Sequence, residues 1–275
     1  MKESLKNSKI VYSNGFVVVR VDRTLQEILN EKPYGRFDPE YYHPEYDDMF
    51  SEIRQARFKI SSLGKFILPG TEGITYGQVG SRYYSKKGRV QYLQVSNITL
   101  TGIDIYEKFA TVDEDGHNDP QRSRLKTKDI LLLNGGVGSL GRSCILLQND
   151  KIYNISQDID RIRVKGINPV YVSVFINSFF GKKQIERFQK GVSGQTKIGF
   201  EHVKCIEIPL LHDFIQSHIE TEYKKMARYH DKAMEAKSKC NEVVYKKNIE
   251  KAETMLKKLI AKTEAVIRGD RKDVI

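Results

Sequence analysis

From residue 210 to residue 268 the chain contains neither glycine nor proline. A run of that length without a helix breaker reads as helix almost throughout, and as one rod it would reach roughly 80–90 Å at 1.5 Å per residue. Residues 1–211 are built differently, holding all 7 prolines, 19 of the 20 glycines and 23 of the 27 aromatic residues. Within the helical stretch Ile219, Met226, Ala233 and Cys240 recur every seven residues, with Tyr229, Ala236 and Val243 in the accompanying positions. The stripe then re-phases to Ile249, Ala252, Leu256, Leu259 and Val266, a coiled-coil pattern with a slip or a loop near 241–248. A stripe this narrow makes no globular core alone and needs a partner helix. The expected fold class is therefore α+β: a mixed α/β domain over 1–211, followed by a long coiled-coil-type helical region over 212–275.

Local signals before residue 211 alternate between the two kinds of structure. Residues 15–21 (GFVVVRV) read as a strand, and 24–30 as a short helix with Asp22 as its candidate cap. Residues 46–57 read as a helix. The apolar or β-branched runs 60–67, 90–95, 129–133, 144–147 and 160–164, punctuated by glycine, read as strands. Asn168-Pro169 opens a helix in the expected manner, with Asn as N-cap and Pro in the first turn. Residues 204–209 read as a closing strand.

Charge supplies the first functional information. Forty-six Lys+Arg against 35 Asp+Glu give a net charge of +11, which points to a polyanionic partner, most often nucleic acid. Residues 212–275 carry 15 basic and 11 acidic residues (+4), leaving 31 against 24 (+7) for the remainder. The helical part is thus a mixed-charge solvated rod, and specific anion binding belongs to the first 211 residues. Cys144, Cys205 and Cys240 cannot form a disulfide framework, which suits a reducing cytoplasm. The start, MKESLKNSKI, lacks an apolar signal core, and no apolar run approaches the roughly 20 residues of a bilayer span, so a cytoplasmic protein without a membrane partner is expected.

Several catalytic motifs are approached and missed. Gly136-Val-Gly-Ser-Leu-Gly141-Arg142-Ser143 nearly spells a phosphate-binding loop, but arginine replaces the lysine and the following CILLQ reads as a strand where that loop needs a helix. A glycine-rich hairpin is the better reading. Asn168-Pro-Val-Tyr171 is one residue from the Asn-Pro-Pro-Tyr signature of adenine methyltransferases, yet no glycine-rich cofactor loop stands upstream. The six histidines and three cysteines show no metal-ligand spacing. Glu222-x-Lys224 lies on the helix as ordinary surface charge. No enzyme activity, cofactor or metal is expected.

Basic residues gather in loops. No acidic residue occurs between Glu72 and Asp104, while Arg82, Lys86, Lys87 and Arg89 fall in one window with Tyr76, Tyr83 and Tyr84 interleaved. Lysine and arginine neutralise phosphates, and arginine also reads guanine in the major groove. Arg122 and Arg124 lie in a second basic run, and Arg142 on the glycine-rich turn joins them as a candidate. In Gly191-Val-Ser-Gly-Gln-Thr-Lys197, Gln195 and Lys197 offer donors on a glycine-flanked loop, where small polar residues suit base contacts or a plain turn equally.

Arg36-Phe-Asp-Pro-Glu-Tyr-Tyr-His-Pro-Glu-Tyr46 resembles the entry to many specificity subunits of type I restriction–modification systems. Gln91-Tyr-Leu-Gln-Val-Ser-Asn-Ile98, Lys128-Asp-Ile-Leu-Leu-Leu-Asn-Gly-Gly-Val-Gly-Ser-Leu-Gly141 and the segment 191–209 (GVSGQTKIGFEHVKCIEIP) resemble the successive blocks of their target-recognition domain. The trailing helix is similar to their helical spacer. The resemblance implies a non-catalytic subunit that reads duplex DNA and directs a partner adenine methyltransferase, with or without a restriction subunit, to a bipartite target. Full-length members carry two recognition domains and two helical regions, and this chain has one of each. Homodimerisation through antiparallel helices would restore the missing half, with Ile219, Met226, Val243, Leu256 and Leu259 as the pairing surface. A DNA-modifying enzyme with degenerate motifs and a coiled-coil adaptor without DNA contact are the alternatives.

Overall fold

The computed structural model describes residues 8–13, 16–21, 23–31, 35–79, 84–106, 110–136, 138–148, 150–191 and 196–275. Strands β1 (Ser8–Ser13) and β2 (Phe16–Val21) pair as an antiparallel hairpin. Helix α1 (Leu25–Leu29) is capped by Thr24, while Asp22, the expected cap, lies outside the described residues. Thr24 Oγ1 accepts from the Glu27 amide at 3.2 Å and Glu27 Oε2 accepts from the Thr24 amide at 2.7 Å, a reciprocal pair that needs no upstream side chain. Helix α2 (Pro44–Gln55) has Pro in its first turn and sends Tyr46, Met49, Phe50 and Ile53 inward at helical spacing.

The apolar run 60–67 is only partly extended. Strand β3 (Ile60–Ser62) gives way to a 3-10 turn, Leu63–Lys65. A single turn, α3 (Gly70–Gly73), leads into β4 (Ile74–Tyr76), and β5 (Val90–Leu93), β6 (Ala110–Val112), β7 (Ile130–Leu133), β8 (Ser143–Ile145), β9 (Tyr153–Ile155) and β10 (Ile159–Ile162) follow. One antiparallel sheet has the order β4-β10-β7-β8. A second has the order β6-β5-β9, in which β5 and β9 run parallel. Every residue of β7 and of β10 is buried, which is why β7 reads as an unbroken apolar run. Ile130, Leu132 and Ile162 face the core shared with the helices, and Leu131, Leu133 and Ile159 face a second core beneath the other sheet.

Helix α4 (Pro169–Ile176) starts as the sequence predicts, with Asn168 Oδ1 accepting from the Val170 amide at 2.9 Å. Helices α5 (Phe179–Phe188) and α6 (Phe200–Cys205) follow, then β11 (Glu207–Pro209), antiparallel to β3. The expected strand over 204–209 is therefore shared between the end of α6 and β11.

The single rod does not form. Helix α7 (Asp213–Ser238) and helix α8 (Glu242–Arg268) fold back on each other through residues 239–241. Cys240 takes the left-handed conformation (φ 53°), the Asn241 amide bonds the Ala236 carbonyl at 2.9 Å, and the Asn241 side chain caps α8. His218 on the first turns of α7 lies 2.5 Å from Asp273 beyond the end of α8, so the helices are antiparallel. Ile219, Met226, Leu256 and Leu259 are consequently buried in one core with Tyr171, Phe175 and Ile206. The expectation that these four side chains face water until a second copy covers them is corrected: the hairpin supplies the partner helix from the same chain, and α4 packs on both of its helices. Val243, near the hairpin tip, is the exception, at 79% exposure. The compositional change at residue 211 marks a change of architecture, and the core runs across it.

Candidate nucleic-acid interface

The basic segment after β4 begins at a backbone contact that only glycine permits. A Cβ on Gly77 would sit 1.5 Å from the Ile155 carbonyl oxygen, and the Gly77 amide donates to the Ser156 carbonyl at 3.2 Å. Tyr92 Oη donates to the Gln78 carbonyl, and Gln94 Nε2 donates to Tyr84 Oη at 3.1 Å. Gln78 Nε2 meets His117 Nε2 at 3.1 Å. On this frame Tyr84, Lys86, Lys87 and Arg89 are exposed, and no carboxylate among the described residues pairs with the three cations. Arg82 and Tyr83 lie outside the described residues.

Arg122 flanks the same rim. Its Nη1 donates to the Tyr76 carbonyl at 3.1 Å and its guanidinium lies 5.7 Å from the centre of the Tyr76 ring, which in turn contacts Phe200. Tyr76 and Val79 are each about half exposed. Beneath them the wholly buried Arg161 donates to the carbonyls of Thr71, Glu72 and Arg122, and burial pushes its guanidinium down to about 10. Arg161 thus fixes the backbone from which Arg122 projects.

A third segment closes the rim. Gly136, Gly138 and Gly141 adopt φ of 101°, 71° and 80°, making the tight hairpin between β7 and β8 that the sequence predicts. Gly135 and Lys190 both bridge to Lys197, whose exposed Nζ lies 3.1 Å from Asp158 Oδ1. Below this loop Asp160 is fully buried, and burial lifts its carboxyl to about 7 even though Asn134 Nδ2 donates to it at 2.6 Å. Gln195 lies outside the described residues.

Two nominated cations have other work. Arg124 is clasped by Asp119, Asp115 and Glu114. Arg142 is half-buried and donates to the Ile98 carbonyl at 3.1 Å. Both are structural ties: Arg124 is held by carboxylates a few residues before it, and Arg142 by a carbonyl from a segment that the sequence does not bring near. Asn168 donates from Nδ2 to Glu220 at 2.6 Å, and Tyr171 is fully buried with its hydroxyl on the Pro209 carbonyl at 2.6 Å. Neither can face a flipped adenine. Among the described residues no group of three His, Cys, Asp or Glu could hold a metal ion, and no helix is long and apolar enough to cross a membrane.

Gln78, Gln94 and Gln157 join this rim without having been singled out by sequence. They are uncharged, and although Gln94 lies in the block 91–98, only the glycine beside Gln78 marks the neighbourhood of the others.

No family model matches the chain, and no curated protein matches it by sequence. Among the solved structures that are similar at low identity are the following three. The S subunit of a Type-I restriction-modification system from M. genitalium has 11% identity and a TM-score of 0.44, over 67% of this chain and 42% of that one. The HsdS subunit from Thermoanaerobacter tengcongensis has 13% identity and a TM-score of 0.43, over 82% and 52%. A chain from a structure of the type I R-M system has 11% identity and a TM-score of 0.41, over 88% and 66%. The chain spans about half the length of the first two of these structures.

Proposed function

We propose that this chain reads duplex DNA sequence as a specificity subunit of a restriction–modification system, directing a partner adenine methyltransferase, and a restriction subunit where one exists, to a bipartite target. The observation that carries this reading is the rim itself. Unpaired Lys86, Lys87 and Arg89 stand beside exposed Tyr76 and Tyr84 and the amide side chains of Gln78 and Gln94. Cations of this kind hold phosphates and fix register, whereas planar amides and aromatics suit base edges and sugars. The order of the sequence blocks adds support, since each builds part of one scaffold: the α2 entry, β5 with its turn, the β7–β8 hairpin, and the loop leading through α6 to β11.

In this reading the chain transfers no methyl group itself. A second half-site is read by a second recognition unit, brought by a surface other than the stripe containing Ile219, Met226, Leu256 and Leu259, which the hairpin already buries. The direct experiment measures binding of the full chain to duplex DNA across a salt series, with and without an adenine methyltransferase subunit. A steep salt dependence is expected. Binding insensitive to salt, or stoichiometric S-adenosylmethionine binding by the chain alone in calorimetry, would overturn the assignment.

A further inference from the structure

Asn134, at the end of β7, is where three segments meet. Its amide donates to the Asp158 carbonyl at 3.1 Å and its carbonyl accepts from the Ile198 amide at 3.0 Å. Its Nδ2 donates both to the Gln157 carbonyl at 3.1 Å and to Asp160 Oδ1 at 2.6 Å. The neighbouring Gly135 bridges to Lys197, and Lys197 pairs its backbone with Lys190 at 2.7 and 2.8 Å. Asn134 and its neighbour Gly135 therefore join the turn at 156–158 to Lys197 and Ile198, and through Lys197 to Lys190.

The pair is left incomplete. Asn134 Oδ1 and Asp160 Oδ2 are buried without a hydrogen-bond partner. An unpartnered buried polar atom is costly, and here two of them face the junction of three segments. Asparagine at position 160 would remove the deficit, because each carboxamide could then donate to the other. The exposed side chains held by this junction, Gln157 and Lys197, lie on segments other than the turn that carries the cations at 86–89.

We propose that Asn134 and Asp160 form a positioning pair that sets the register of the 156–158 turn against Lys197 and Ile198, and through it the base sequence this rim accepts. This rests on the DNA-reading assignment above. The pair governs selectivity, whereas the 86–89 turn supplies phosphate affinity, so the two respond to different substitutions.

The test uses the full chain, a pool of DNA duplexes with a randomised centre, and amide hydrogen exchange without DNA. Asn134→Ala should speed exchange at Lys190, Lys197 and Ile198, and broaden the set of sequences enriched from the pool, while leaving the salt slope of binding to the unselected pool unchanged. Asp160→Ala should do the same. Asp160→Asn, which keeps an acceptor for Asn134, should rescue both readouts. Asp160→Leu, which keeps the volume without an acceptor, should behave as Asp160→Ala, whereas a merely structural loss of packing would be rescued by leucine as well. If Asn134→Ala does not fold, the contrast between Asp160→Asn and Asp160→Ala reports the same quantities. Wild-type exchange at those amides in the alanine variants, or an unchanged enriched sequence, would overturn the proposal. A wild-type chain that enriches no sequence, although the alanine variants still loosen the loop, would instead overturn the DNA-reading assignment and with it the role in selectivity.

Discussion

Arg124 Nε lies 3.0 Å from each carboxylate oxygen of Asp119, whose side chain has no solvent exposure. Asn154 Nδ2 donates to the same carboxylate at 2.7 Å, and the Asp115 amide does so at 2.9 Å. Burial, the largest influence, would raise the Asp119 carboxyl. The bonds from Arg124, Asn154 and the Asp115 amide outweigh it and hold the group below its ordinary value.

Arg124→Ala should therefore destabilise the fold by roughly 1–3 kcal/mol, because it strips the main partner from a buried carboxylate. A lowered carboxyl contributes stability above its unfolded pKa and loses it as pH falls through the folded value. Chemical denaturation of the wild type should show that acid-side loss, and the variant should show less of it. The salt slope of DNA binding should be the same in both.

Lys86, Lys87 and Arg89 should behave in the opposite way. They are exposed and unpaired, so their joint replacement by alanine should leave the melting temperature unchanged. For every phosphate that no longer has a cation against it, the slope of log affinity against log salt should fall by about 0.9. A folded triple variant with the wild-type slope would move the DNA surface elsewhere.

Asp160 sets a second pH dependence, of the other sign. Its carboxyl is raised to about 7, first by burial, so its contribution to stability is complete below its unfolded pKa and is lost as pH rises through about 7. A carboxyl titrating near 7 instead of near 3.8 corresponds to a difference on the order of 4 kcal/mol between acid and mildly alkaline solution. Denaturation midpoints compared between these limits should show the wild type losing stability relative to Asp160→Asn as pH rises, a difference from which His202 and the other groups common to both cancel.

The hairpin makes a prediction that separates folding from assembly. Leu256 and Leu259 are 1% and 3% exposed within the single chain. Their replacement by alanine should cost about 2–5 kcal/mol each, and a charged residue at either position should unfold the hairpin and not merely release a folded monomer. Val243→Lys should be tolerated. Thermal melts read beside light scattering distinguish the outcomes; a stably folded Leu256→Lys chain would contradict the intrachain packing.

Much of the local structure was legible because its causes lie within a few residues. Asn168-Pro169 starts a helix through its own cap and ring, the three glycines of the β7–β8 turn supply their own left-handed conformations, and the basic turn at 86–89 has no acidic neighbour in sequence. The amount of helix after residue 210 follows from propensity in the same way. Its course does not. The break at 239–241 has no glycine or proline, and Cys240 accepts a left-handed conformation because folding back lets each half of the apolar stripe bury the other against α4. A heptad pattern states that a partner helix is needed but is silent on which chain provides it. The same holds at the site. Arg142 and Lys86 are both cations in loops without an acidic neighbour, and they part only when the fold brings the Ile98 carbonyl against one and leaves the other in water. Asn134 and Asp160, 26 residues apart, become a pair only because β7 and β10 are neighbours in the sheet. Backbone preference is written residue by residue, whereas burial and charge pairing depend on distances that the chain acquires only on closing.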